Sequence, residues 1–169
     1  MIKGVIFDLD QTLVNSSILE EYRSKRDWQY TYNNLHLTNL FDGIQEMLNY
    51  VTENNVKIAI VTNSPKPYAE RLLKHHSIKY DTLIHYHSVT KRKPHSEPMI
   101  KAITELALNC EEVISLGDHD NDIISSIDSG ISSVLCTWGT DGSYSCTPES
   151  IIENPLQFID ILKTKFSKN

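Results

Sequence analysis

Five short, β-branched runs recur along the chain with amphipathic segments between them: IKGVIFD at 2–8, VKIAIVT at 56–62, DTLIHYH at 81–87, EVISLGD at 112–118 and ISSVLCT at 131–137. Runs that are apolar on both faces belong to strands buried from both sides, and their alternation with helices is the pattern of a parallel sheet covered by helices above and below. Periodicity near 3.6 predicts those helices, with stripes at Ile44, Met47, Leu48 and Val51, at Tyr68, Leu72 and Leu73, at Ile100, Ile103, Leu106 and Ala107, and at Leu156, Ile159, Leu162 and Phe166. The expectation is an α/β three-layer sandwich, and 169 residues suffice for one domain spanning 1–169 but hardly for two full cores.

The alternation stops between Val14 and Asp42, where SSILEEYRSKRDWQYTYNNLHLTNLF replaces a tight strand-to-helix turn. So long a connection predicts structure of its own, a small helical lid over 15–41 at the C-terminal edge of the sheet, where open α/β folds bind ligands. A net charge of -6 opposes bulk capture of nucleic acid. One neighbourhood is basic nonetheless: five of the seven histidines lie between His75 and His95, together with Lys91, Arg92 and Lys93. It suits either an anionic ligand or a solvated loop. Three widely spaced cysteines without CxxC predict neither a disulfide framework nor a zinc site. The acidic N-terminus and the absence of any apolar run near ~20 residues predict a cytoplasmic protein with no membrane partner.

Chemistry gathers at the C-terminal ends of the expected strands. These ends carry Asp8 and Asp10, then Thr62-Asn63-Ser64, then the loop TKRKPHSEP with Lys93, then Gly117-Asp118-His119-Asp120-Asn121-Asp122. Acids brought together on one sheet edge repel one another and take up protons unless a cation neutralises them. Oxygen ligands at high charge density favour a hard divalent ion, and Mg²⁺ binds through one or two carboxylates, waters and a substrate phosphate. A Mg²⁺ site beside a lysine and a hydroxyl is suited to phosphoryl chemistry.

In the same order these residues resemble the four motifs of the haloacid dehalogenase superfamily of phosphohydrolases, in the phosphoglycolate-phosphatase-like layout. DxDxT stands as Asp8-Leu9-Asp10-Gln11-Thr12, the second motif as Thr62 in IAIVTNS, the third as Lys93 in KPHSEP, and GDxxxD as Gly117 to Asp122; LFDGIQEMLNYV and the late TWG at Thr137 to Gly139 extend the likeness across nearly the whole chain. The resemblance implies a Rossmann-like sheet of order 5-4-1-2-3. It implies Asp8 as the nucleophile that forms an aspartyl-phosphate, and Asp10 as the group that protonates the leaving oxygen and later accepts a proton from water. Thr62 and the amide of Asn63 would bind phosphate oxygens, while Lys93 would offset transition-state charge. Mg²⁺ would be held by the side chains of Asp8, Asp118 and Asp122, the last directly or through water, and by the backbone carbonyl of Asp10.

Competing readings were weighed at the same positions. DHDND at 118–122 imitates the opening of a calcium loop, but Ile123 and Ser129 stand where Gly and Glu are required. His85 and His87 could share a strand face and bind zinc, although an edge-strand polar face is preferred for want of a third ligand. Pro94 after Lys93 selects that lysine over Lys91. Gln11 would be strained if its φ were positive. For the substrate, a small phosphorylated metabolite is favoured over a phosphate on a nucleic-acid end or a protein. In that reading Trp28 and the nearby tyrosines pack the lid onto the sheet while Arg23, Lys25 and Arg26 face water. A phosphate-binding module without turnover is the reading from a different class.

Overall fold

The first strand, β1 (Gly4–Phe7), is buried along its whole length, as an all-apolar GVIF run should be at the centre of a sheet. A computed structural model describes residues 1–140 and 142–166. Its chain forms β2 (Val14–Asn15), β3 (Asn39–Leu40), β4 (Lys57–Val61), β5 (Thr82–Ile84), β6 (Val113–Gly117), β7 (Ser132–Cys136) and β8 (Ser150–Ile152). Six strands make one parallel sheet in the order β5-β4-β1-β6-β7-β8, with Phe7 in register with Ile60 on one side and Leu116 on the other. The five expected strands therefore keep the implied order, and a sixth is added outside the last of them. That strand, SII, is three residues long with Ile151 exposed, too short for its pattern to stand out. The third strand is also shorter than expected, ending at Ile84, so His85 and His87 lie in the turn beyond it rather than on an edge-strand face.

The principal helices are α3 (Ile44–Glu53), α4 (Lys66–His75), α5 (Glu97–Leu106), α6 (Asp120–Ile127) and α7 (Pro155–Phe166), preceded by two short ones, α1 (Glu20–Ser24) and α2 (Trp28–Asn33). Alternation along the strands separates two cores. Val5, Phe7, Ile58, Ile60, Ile114 and Leu116 point toward α3, α4 and α7, while Ile6, Ala59, Val61 and Ile84 point toward α5. Helices thus cover both faces, giving the three-layer α/β sandwich. The α3 and α4 stripes are buried as the spacing predicts. Two others are rotated. In α5 Ile100 is 50% exposed and Met99 and Ala102 are buried instead; in α7 Leu156 is 42% exposed and Phe158 takes its place. Pro98 in the first turn of α5 and Pro155 at the start of α7 are themselves buried, on the faces that Met99 and Phe158 share.

Residues 15–41 leave and rejoin the body through the antiparallel pair β2–β3. Between them run two 3₁₀ turns, α1 and α2. Leu19 and Leu35 drop into the main core, Arg71 of α4 lies 4.7 Å over the Tyr32 ring, and Thr38 Oγ1 meets His76 Nε2 at 2.7 Å. No helix among the described residues is long and apolar enough to cross a membrane.

Candidate active site

The chain passes from β1 to β4 on one side and later returns to β6 on the other, so the crevice at the C-terminal end of β1 is the topological switch point. Asp8 follows directly, its amide held by the Leu116 carbonyl at 3.0 Å. Leu9, wholly buried, pins the chain between the two acids. Gln11 then turns it back with φ 65, the strained conformation that the sequence left conditional, and its amide donates to the Val14 carbonyl at 2.8 Å. Support comes from the TWG loop. Trp138 Nε1 donates to the Thr12 carbonyl at 2.9 Å, and a Cβ on Gly139 would stand 1.8 Å from the Gln11 carbonyl oxygen, so only glycine permits this contact. Thr12 in turn donates its hydroxyl to Asp118 at 2.8 Å.

Asp118 and Asp122 are positioned by the start of α6. His119 caps the helix, and its amide donates to Asp122 Oδ2 at 3.1 Å, the reciprocal arrangement of a capping box. This helical start is incompatible with a calcium loop over the same residues. Gly117 is fixed by proximity: a Cβ there would lie 2.4 Å from the Cβ of Asp122. Ser125 and Ser126 are wholly buried, and Ser126 is bonded to Ser115 across the helix–strand contact.

Lys93 reaches between the acids. Its side chain is 3% exposed, and Nζ donates to Asp8 Oδ1 at 2.7 Å, Asp122 Oδ1 at 2.5 Å and the Val61 carbonyl at 2.7 Å. These acceptors match the three donors of an ammonium. Lys91 stays exposed. Asp8, Asp118 and Asp122 each present an oxygen within 4.8 Å of the others, an all-oxygen donor set suited to a hard divalent cation. Among the described residues this is the one such cluster of three or more possible ligands. Burial, reinforced by Asp122 and Asp118, holds the Asp8 carboxyl well above the ordinary range despite the opposing Lys93 charge. Burial and then Asp122 raise Asp118 to about 6. For Lys93, burial acts downward, but the carboxylates of Asp122 and Asp8 outweigh it and hold the ammonium above its usual value. One lysine cannot neutralise three acids, and the excess charge is what a cation would relieve.

A hollow of about 250 Å³ is lined by Asp8, Asp10, Thr62, Asn63, Lys93, Asp118 and Asp122 together. Every site residue expected from the sequence is therefore brought to one place. Thr62 is buried, its Oγ1 accepting from the Ser64 amide at 3.1 Å, and the Asn63 side chain donates to the Lys93 carbonyl at 3.1 Å.

Other residues at the site were not singled out. The Asp10 carboxylate accepts from Ser16 Oγ at 2.5 Å, Tyr68 OH at 2.6 Å, Ser64 Oγ at 2.9 Å and Arg23 Nη1 at 2.8 Å. Arg23 thus turns inward, contrary to the expectation that the charges of 23–26 face water. The helix stripe predicts Tyr68 as plain core, yet a buried tyrosine needs a partner for its hydroxyl, which is the signal in the sequence for its place at the site. Burial and the nearby Asp10 charge raise the Tyr68 hydroxyl well above its usual value. Trp28 and Tyr32 pack on the core as expected, but Tyr30 stays exposed and stacks on Tyr22.

A family model described as haloacid dehalogenase-like hydrolase matches residues 18–136. A pyrophosphatase PpaX of Halalkalibacterium halodurans is 25% identical over 211 aligned positions, covering 97% of this chain and 98% of that protein. An alignment longer than this 169-residue chain means that the relative carries insertions absent here. An N-acetylmuramic acid 6-phosphate phosphatase of Pseudomonas aeruginosa is 27% identical over 132 residues, 75% of this chain and 58% of that protein. The chain spans only 53–66% of the length of the first five curated relatives that it matches. Among solved structures, CbbY of Rhodobacter sphaeroides in complex with phosphate superimposes with a TM-score of 0.81 at 16% identity, covering 94% of this chain and 96% of that one. That likeness concerns the fold.

Proposed function

The chain belongs to the haloacid dehalogenase-like hydrolase family, and from that premise we propose that it is a Mg²⁺-dependent phosphomonoesterase working through an aspartyl-phosphate. The observation that carries the reading is the meeting of three carboxylates and a buried lysine with Thr62 and Asn63 in one hollow. Asp8 attacks phosphorus with a carboxylate oxygen while the ester oxygen departs and takes a proton from Asp10. Water then attacks the acyl phosphate, returns a proton to Asp10 and releases inorganic phosphate with Asp8 restored. Thr62 and the Asn63 amide orient the phosphate oxygens, and Lys93 offsets the charge that grows on them. Asp8, Asp118 and Asp122, with the Asp10 carbonyl, are the residues that would hold Mg²⁺. Once bound, Mg²⁺ supplies positive charge against the phosphate and relieves the repulsion among the acids. Asp10 accepts four donors here, and one must give way when its proton is passed on.

Residues 15–41 act in this reading as a short lid, and the substrate is a small phosphate ester. The names of the pyrophosphatase and N-acetylmuramic acid 6-phosphate phosphatase relatives support that size class. The net charge of -6 weighs against a nucleic-acid end. The test is hydrolysis of p-nitrophenyl phosphate. Turnover lost in EDTA and in Asp8→Asn is expected; undiminished turnover in Asp8→Asn refutes the mechanism, and a parent protein inert on a broad ester panel favours a binding module instead.

A further inference from the structure

A second, larger hollow of about 480 Å³ adjoins the acidic one, and the two share Arg23 and Asn63 as walls. Its other walls include Arg26 and Trp28 from the lid segment, with Tyr86 and His87 from the turn after β5. No carboxylate is among the described residues that wall it, although the chain as a whole is acidic. Arg92 lies 4.1 Å from the Tyr86 ring centroid and adds to the positive field. Arg26 is exposed and, among the described residues, pairs with no carboxylate.

Arg23 is the informative wall. Its side chain is 17% exposed, Nη1 holds Asp10 at 2.8 Å, and the guanidinium lies 5.1 Å from the Tyr68 ring centroid. Nε is sealed from solvent and has no hydrogen-bond partner. A guanidinium offers five donors in a rigid fork, and burying one without an acceptor is costly. Arg23 also walls the second hollow, where its guanidinium charge can draw an anion.

We propose that the second hollow is the leaving-group subsite, and that it selects phosphate esters whose leaving group carries a second negative charge, read by Arg23 and Arg26. The inference rests on the phosphatase reading and names its substrate class. The transferred phosphate occupies the acidic hollow, the rest of the substrate passes between Asn63 and Arg23, and Trp28 offers a face to any ring along the way. Discrimination comes from the guanidinium fork, which binds carboxylate or phosphate in two-point contact and loses that contact when the ligand is neutral.

The test compares phenyl phosphate with 3- and 4-carboxyphenyl phosphate in the parent, Arg23→Met and Arg26→Ala. The readout is the ratio of kcat/KM for each charged ester to that of the neutral one, which cancels any general effect of Arg23 on Asp10. In the parent at least one charged ester is preferred by about 10- to 100-fold, the range of charge-assisted hydrogen bonds. That preference falls at least about tenfold in one or both variants, and salt above physiological strength weakens it in the parent. Arg26 is exposed, so Arg26→Ala tests the subsite without a risk to folding. Equal turnover of charged and neutral esters by the parent, or a preference that survives both variants, overturns the subsite while leaving the phosphatase reading intact. A parent that hydrolyses none of the three overturns both.

Discussion

Replacing Lys93 by Met keeps the aliphatic stem and removes the ammonium, leaving Asp8 and Asp122 facing each other across a buried site. The lost contacts are two ion pairs at 2.7 and 2.5 Å and a carbonyl hydrogen bond at 2.7 Å, all on a side chain 3% exposed. Breaking a buried pair by removing one partner costs about 3–5 kcal/mol, because the remaining charge is stranded, whereas deleting a surface lysine costs about 0–1 kcal/mol. Against a typical domain stability of about 5–15 kcal/mol, the first figure removes a large fraction. Urea unfolding in EDTA followed by circular dichroism measures it, with m unchanged if the folded state is otherwise intact. Adding Asp122→Asn to Lys93→Met removes one stranded charge and recovers about 1–3 kcal/mol. A loss below about 1 kcal/mol in Lys93→Met, or no recovery in the double variant, refutes the account of Lys93 as the internal counter-ion of the acids.

Asp118 holds a proton in the folded protein up to about pH 6, against an ordinary value of 3.8. In EDTA, the contribution of Asp118 to stability is therefore fullest below the lower value and declines as pH rises through this window, by about 3 kcal/mol if the shift is fully expressed, and Asp118→Asn removes this component from the profile of urea midpoints. Gly117→Ala drives a methyl into the Asp122 Cβ at 2.4 Å; α6 must shift, with a loss of about 1–3 kcal/mol in urea unfolding and a marked fall in phosphatase turnover. Gln11→Gly removes the left-handed strain at φ 65 and is expected to raise stability by up to about 1 kcal/mol, read as a higher Tm. Trp138→Phe forfeits the 2.9 Å bond to the Thr12 carbonyl and costs about 1–3 kcal/mol, since the acceptor is left unpaired.

Asp8, Thr62 and Asp118 were legible because each is a polar residue just beyond an apolar strand, where only a few residue types make chemical sense together. Asp8 and Asp118 are far apart in sequence, yet the strand pattern carries both to one edge, whereas Lys93, nine residues beyond Ile84, was legible only through the motif resemblance and Pro94. Helix register was less legible. Ile100 and Leu156 fit their stripes as well as Met99 and Phe158 do, and periodicity alone does not choose between such neighbouring registers; in the fold Pro98 and Pro155 are buried with the second pair. The partners of Asp10 were not legible at all. Arg23 and Ser16 lie in a segment whose path depends on the β2–β3 pairing, two residues on each side and without a hydrophobic pattern of its own.

That segment has unequal attachments, and the inequality bears on how Arg23 can serve two acceptors. Its ends are fixed, with Val14, Leu19 and Leu35 in the main core and Thr31 and Thr38 buried beside them. Displacing any of these exposes apolar surface at about 25 cal/mol per Å². By contrast α1, which carries Arg23, buries no side chain fully, and apart from Arg23 its tie is the stacking of Tyr22 on Tyr30 of α2 at 3.7 Å. Moving α1 therefore sacrifices little beyond the two contacts of Arg23, with Asp10 and with the Tyr68 ring, and elements with few buried contacts open at the lowest free energy in a fold. A ligand anion that takes Arg23 from Asp10 replaces the ion pair lost, leaving the contact with the Tyr68 ring as the remaining cost. Asp10 keeps Ser16, Ser64 and Tyr68 as donors meanwhile, so its orientation toward the acidic hollow does not depend on the arginine.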